Sequence, residues 1–255
     1  CSHEKPPGNG KAAFAVTASL LGVVMQDTDS RGDLSSDFSQ PVTISYSNSH
    51  GSFVGEIAGT GLASVYTANL SLDSDGMREF ELDVVPGSTR VGASVDAQDG
   101  GSSDVDLYLF DCSTGECILR DFSAGSGSSE RVAIDSPAPG KWKVIVDRFN
   151  AGDRRNSFQY KDYVTHPAFG RIEVQNDAQP IAHGAVVTQP INLKIGAVPV
   201  GPRSLEAMLL VVSRTGPNTD TQKKTDTYDL YYPDHAILGA ANISLKIAAL
   251  QSTRK

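Results

Sequence analysis

The run Gly140-Lys141-Trp142-Lys143-Val144-Ile145-Val146-Asp147 restricts the fold more than any other part of the chain. Trp142, Val144 and Val146 fall on one side of an extended backbone. Lys141, Lys143 and Ile145 fall on the other, so that outer side is only partly polar. Such period-two patterning belongs to a strand with one face in a core. Asp104-Val105-Asp106-Leu107-Tyr108-Leu109-Phe110 has the same character, with Val105, Leu107 and Leu109 inward. Glu79 to Val85 alternates too, with Phe80, Leu82 and Val84 inward. Pro86-Gly87 is a turn, and Arg90 to Asp96 is the expected antiparallel neighbour of the Glu79 strand. Shorter strands are predicted at 117–119, 131–134 and 160–164. Strands spaced about 8–12 residues apart, with turn signals between them, point to a β-sandwich.

Composition agrees with this reading. Hydrophobic residues make up 39% of the 255 positions and charged residues 20%, enough apolar material for a packed core. The 24 glycines and 13 prolines are spread along the chain, which suits many short strands and turns. Net charge is −8, and no basic run is longer than Lys223-Lys224, which excludes a nucleic-acid role. No apolar run approaches the roughly 18–20 residues of a spanning helix.

The three cysteines divide into a pair and a single. Cys112 and Cys117 flank a Ser-Thr-Gly-Glu turn, and a disulfide between them implies an oxidising compartment. A zinc site would need a second Cys or His cluster, which the sequence does not supply. Cys1 leads a tail, Ser2 to Lys11, rich in Pro, Gly and polar residues. It reads as the lipid-bearing cysteine of a bacterial lipoprotein followed by a flexible tether; in the other reading, position 1 is simply where a fragment begins. In the first case the membrane is reached only through the lipid on Cys1.

Taken together, the series Asp104-x-Asp106-Leu107-Tyr108-Leu109, a cysteine loop, Ser129-Glu130-x-Val132 and Pro137-x-Pro139-Gly140-x-Trp142-x-Val144-x-Val146-Asp147 resembles the bacterial pre-peptidase C-terminal domain. The resemblance covers roughly residues 76 to 165. It implies a β-sandwich carried behind the catalytic domain of secreted proteases, subtilisin-like ones among them, and hence a non-catalytic accessory module whose partner is such a protease. The expected organisation is all-β: a tether over 1–11, a pre-peptidase-like sandwich (jelly-roll or immunoglobulin-like) over 12–165 and an immunoglobulin or fibronectin-III-like sandwich over 166–255. The expected location is extracellular or at a bacterial cell surface. A lipid-anchored surface protein that binds cell-surface polysaccharide or builds an extracellular assembly is the second reading.

Asp104 and Asp106, two apart on a strand, share a face. Their like charges call for a cation, an arginine or solvent. The resemblance implies calcium, with Asp111, Asp147 and Asp99 as further ligands; pairing with Arg120, Arg148 or Arg154 is the alternative. Asp27-x-Asp29-x-Arg31-Gly32-Asp33 opens like an EF-hand loop, but Arg31 and Phe38 stand where ligands belong, so it reads as a solvated acidic loop. Arg31-Gly32-Asp33 and the sequons at Asn69 and Asn242 are chance-level motifs. His50-Gly51-Ser52-x-Val54 is only a fragment of a subtilisin-like histidine motif. No aspartate or nucleophile motif accompanies it, and Ser126 sits in a Gly/Ser loop, so no triad is expected. Phe158, Tyr160, Tyr163, Tyr228, Tyr231 and Tyr232 are the aromatics available to a sugar platform, while Trp142 is expected in the core.

Overall fold

Strands form wherever the sequence alternates. In this computed structural model the described residues are 11–19, 23–27, 34–35, 41–48, 52–71, 76–98, 104–126, 129–150, 157–175, 179–213 and 236–247. Residues 1–10 with Cys1, residues 28–33 with the Arg-Gly-Asp, His50, Asp99, Arg154 and Tyr228 to Tyr232 lie outside them. The first strands are β1 (Lys11–Ser19), β2 (Val23–Asp27), β3 (Leu34–Ser35), β4 (Val42–Asn48), β5 (Phe53–Gly59), β6 (Ala63–Ser71), β7 (Met77–Val84), β8 (Arg90–Ala97) and β9 (Asp104–Asp111). There follow β10 (Ile118–Ser123), β11 (Ser129–Asp135), β12 (Gly140–Asn150), β13 (Ser157–Thr165), β14 (Gly170–Val174), β15 (Gln179–Ile181), β16 (Val186–Ile195), β17 (Ser204–Ser213) and β18 (Ala236–Ile247). The protein is all-β; one 3-10 turn, Pro167–Phe169, is the only helical element among the described residues.

The chain divides into two units, Ala63–Pro167 and the pair of segments Cys1–Leu62 and Ala168–Lys255. In the first, strands β11-β8-β13-β6 form one antiparallel sheet and β10-β9-β12-β7 a second. Their inner faces meet in one core: Val91, Ala93, Val95, Val132, Phe158, Tyr160 and Val164 from one side, and Leu82, Val84, Val105, Leu107, Leu109, Trp142, Val144 and Val146 from the other. Register follows the alternation. Trp142 stands opposite Leu82 and Asp111, and Val144 opposite Phe80 and Leu109. The Trp142 ring is buried, and its Nε1–H donates to the Ala138 carbonyl at 2.8 Å, which satisfies the one polar atom of the side chain. First and last strands close on each other, with Ala63 opposite Thr165.

The structure departs from the sequence pattern at two places. Strand β8 does not pair with β7; it lies between β11 and β13, while β7 pairs with β12. The Pro86-Gly87 turn therefore passes the chain between sheets. Gly87 takes φ +90°, a left-handed conformation that favours glycine, and the Pro86 carbonyl lies 3.0 Å from His166 Nε2. The second departure concerns the boundary at residue 12. Residues 42–59 do not belong with the sandwich of residues 63–167: Val42 to Ser47 of β4 pair with β16, and β5 pairs with β15 and β17.

The other unit has strands β15-β5-β17-β18-β1-β3 in one sheet and β14-β16-β4-β2 in another. Ile44, Tyr46, Ile57, Ile172, Ile191, Leu193, Leu205 and Leu209 are among its core residues. Strand β16 runs unbroken through Pro190. Its first half pairs with β4 and its second half with β14, and the change of partner falls beside the proline.

Candidate functional site

Strand β9 carries two faces of opposite character. Val105, Leu107 and Leu109 are wholly buried, so Asp104, Asp106, Tyr108 and Phe110 project to the outer face of the sheet. On β12 the outward set is Lys143, Ile145 and Asp147, which stand opposite Phe110, Tyr108 and Asp106. Strand β10 adds Leu119 opposite Phe110 and Phe122 opposite Tyr108. Phe122 and Tyr108 lie with ring centroids 6.4 Å apart and planes 16° from parallel. Phe122 is 60% exposed and Leu119 44%, high values for large apolar side chains on a sheet.

Beside these rings sit the carboxylates. Asp106 and Asp147 are direct cross-strand partners, and Asp104 is two residues along the same face. Asp106 is only 8% exposed. Burial pushes its carboxyl above the ordinary range; the Tyr108 hydroxyl, which donates to Asp106 Oδ2 at 3.1 Å, works against that, and the charges of Asp104 and Asp147 add to it. Tyr108 is raised in turn, by burial first and by this hydrogen bond next. Asp104 Oδ1 is buried and has no hydrogen-bond partner among the described residues.

Asp111 is elsewhere, which corrects its place in the expected calcium set. It falls on the inner side of β9, opposite Trp142. Oδ1 accepts the Ser113 N–H at 3.0 Å and Oδ2 accepts Arg120 Nη2 at 2.9 Å. Hydrogen bonding from Ser113, then from Arg120, holds its carboxyl below the ordinary range, against the effect of burial. Arg120 thus serves Asp111 and not the Asp104–Asp106 pair. Among the described residues no group of three or more His, Cys, Asp or Glu is placed to hold a metal ion. With Asp111 turned away, Asp104, Asp106 and Asp147 are the expected calcium residues that share this face, and one Asp106 oxygen is engaged by Tyr108.

Cys112 and Cys117 are joined in a disulfide, as the spacing predicts. It closes the β9–β10 loop, where Gly115 takes φ +93°. At the far end of β10, Asp121 Oδ2 accepts the Ala133 N–H at 2.8 Å, and Ser123 Oγ contacts the buried Glu130 carboxylate. These bonds tie the edge of one sheet to the edge of the other.

Of the aromatics singled out in the sequence, the three that lie among the described residues do not form a platform. Phe158 and Tyr160 are buried, and Phe80 stacks on Tyr160 at 3.7 Å. Tyr163 lies on the outer face of the other sheet, where its hydroxyl accepts Arg90 Nε at 3.3 Å. That face is internally paired: Arg90 also reaches Asp135 at 3.1 Å, and Arg131 lies 3.7 Å from Asp96. Phe122 is the aromatic that the sequence pattern misses. A bulge between Leu119 and Asp121 puts Leu119 and Phe122 on one face at a spacing of three, so neither strand nor helix periodicity reveals them. Ser126 is exposed in its loop, and Ser52 Oγ accepts the His183 backbone N–H at 3.4 Å.

No family model matches the sequence. A search of curated proteins likewise found no match. Among solved structures, the chain is similar to the pre-peptidase C-terminal domain of a collagenase from Bacillus anthracis, at 16% identity over 42% of this chain and 91% of that domain, with a TM-score of 0.30. It is similar to a carbohydrate-binding module from a family 9 glycoside hydrolase of Ruminococcus flavefaciens, at 15% identity over 40% of this chain and 99% of that module, with a TM-score of 0.24. It is also similar to a Bacillus licheniformis lipase in propeptide form, at 14% identity over 74% of this chain and 42% of the lipase, with a TM-score of 0.30. Scores and identities this low assign no function.

Proposed function

We propose that this chain is a non-catalytic accessory module of an exported protein, that it serves a subtilisin-like protease system, and that it works by attachment. The observation that carries the reading is how the motif residues of 63–167 are used. Trp142, Val144, Val146, Leu107 and Leu109 build the core, and Asp111 anchors the loop that the disulfide closes. The same strands leave Phe122 and Leu119 exposed on the outer face, beside the half-buried Tyr108, Phe110 and Ile145. A scaffold with its motif residues engaged in structure and an uncovered face suits a binding module better than a catalyst. The disulfide favours an exported location. The link to subtilisin-like proteases is supported by the sequence resemblance alone.

The test is made on the protease system. Removing the chain is expected to lower the amount of mature protease retained at the cell surface. The kcat/KM of the released protease on a small peptide stays unchanged. A fluorophosphonate probe is expected to label the protease and leave Ser52 and Ser126 of this chain unmodified. Labelling of either serine would overturn the reading.

A further inference from the structure

We propose that the outer face of the β10-β9-β12-β7 sheet binds a polysaccharide that carries no negative charge. This inference rests on the binding-module reading above and names its ligand surface. Phe122, Tyr108 and Ile145 occupy one register row across three adjacent strands, and Leu119 and Phe110 begin the next row. Strands lie about 4.8 Å apart, so the first row is an apolar strip about 10 Å long, comparable to a disaccharide. The C–H face of a pyranose ring is slightly positive and the face of an aromatic ring slightly negative, so the two stack.

The polar groups around the strip select among ligands. Its cations are already engaged: Lys143 Nζ lies 2.8 Å from Glu79 and Lys141 Nζ 2.7 Å from Asp83. What remains is a set of acceptors, the half-buried Asp104 and Asp147 and the more deeply buried Asp106. Sugar hydroxyls supply donors to such a set. The same carboxylates repel a uronate polymer or a nucleic acid. A basic peptide would be attracted, but a sheet face offers it no free backbone to pair with, unlike a sheet edge.

The experiment measures retention of the full chain on neutral polysaccharides (cellulose, β-1,3-glucan, xylan, galactan), on alginate and polygalacturonate, on polylysine, and on envelopes of the producing cell. Wild type is compared with Phe122→Ala and with Val200→Ala, a control at a valine 92% exposed in the other unit. Saturable retention is expected on at least one neutral polysaccharide and on neither uronate. It should weaken by about tenfold or more in Phe122→Ala and stay unchanged in Val200→Ala, with the melting temperatures of both variants at the wild-type value. Retention on polylysine alone, or on no neutral polysaccharide, overturns the inference. Polysaccharide retention that ignores Phe122→Ala also overturns it, and leaves the module reading intact. Retention on no polymer and no envelope overturns both.

Discussion

Two aspartates on one strand illustrate how position decides the fate of the same side chain. Asp106 is held on the outer face among like charges, and burial raises its carboxyl. Its folded value therefore exceeds its unfolded one. The stabilising contribution is complete below the ordinary aspartate range, near 3.9, and is lost as pH rises through the folded value. Asp106→Asn is thus expected to melt a few degrees higher than wild type at neutral pH, with the difference shrinking below about pH 4. Asp111 has the opposite sign. Ser113 and Arg120 lower its carboxyl, so its contribution is present above the ordinary range and disappears as pH falls through the lowered folded value. Asp111→Ala should cost about 1–3 kcal/mol at neutral pH and less in acid. Urea melts at pH 7 and pH 3 check both signs. Trp142→Ala, which empties the centre of the core, should cost about 3–5 kcal/mol at either pH.

Strands with clean alternation are legible in the sequence. The patterns at 79–85, 104–110 and 140–147 predict β7, β9 and β12 together with their inward residues. Pairing is less legible. β7 and β8 read as a hairpin because they are adjacent in sequence, yet each finds its partner across a crossover. Strand β10 is legible only in part, since its bulge interrupts the period that would draw attention to Phe122. The β9–β10 connection is legible outright, as two cysteines about a short turn. A loop this short limits the entropy that cross-linking removes from the unfolded chain, so Cys112→Ser with Cys117→Ser should cost only about 2 kcal/mol. A loss of several times that in guanidinium melts would mean that the disulfide also holds Asp111 and Arg120 in place.

At the scale of the molecule, the least legible feature is that 63–167 interrupts the other unit. Nothing local in 42–59 announces that its partners are β15, β16 and β17, because long-range pairing leaves no mark in sequence periodicity. The pairing of Ala63 with Thr165 brings the two ends of the sandwich together, and its core draws only on its own strands. Residues 63–167 expressed alone are therefore expected to unfold in one cooperative transition with the disulfide intact. A broad, non-cooperative melt would mean that the sandwich depends on the rest of the chain. In its proposed role this protein binds a polymer and does not turn it over. The most direct test counts adsorbed protein and polymer reducing ends in one equilibrium measurement on the retained polysaccharide. Saturable adsorption with reducing ends constant over hours is the predicted result; new reducing ends appearing in proportion to bound protein would contradict it.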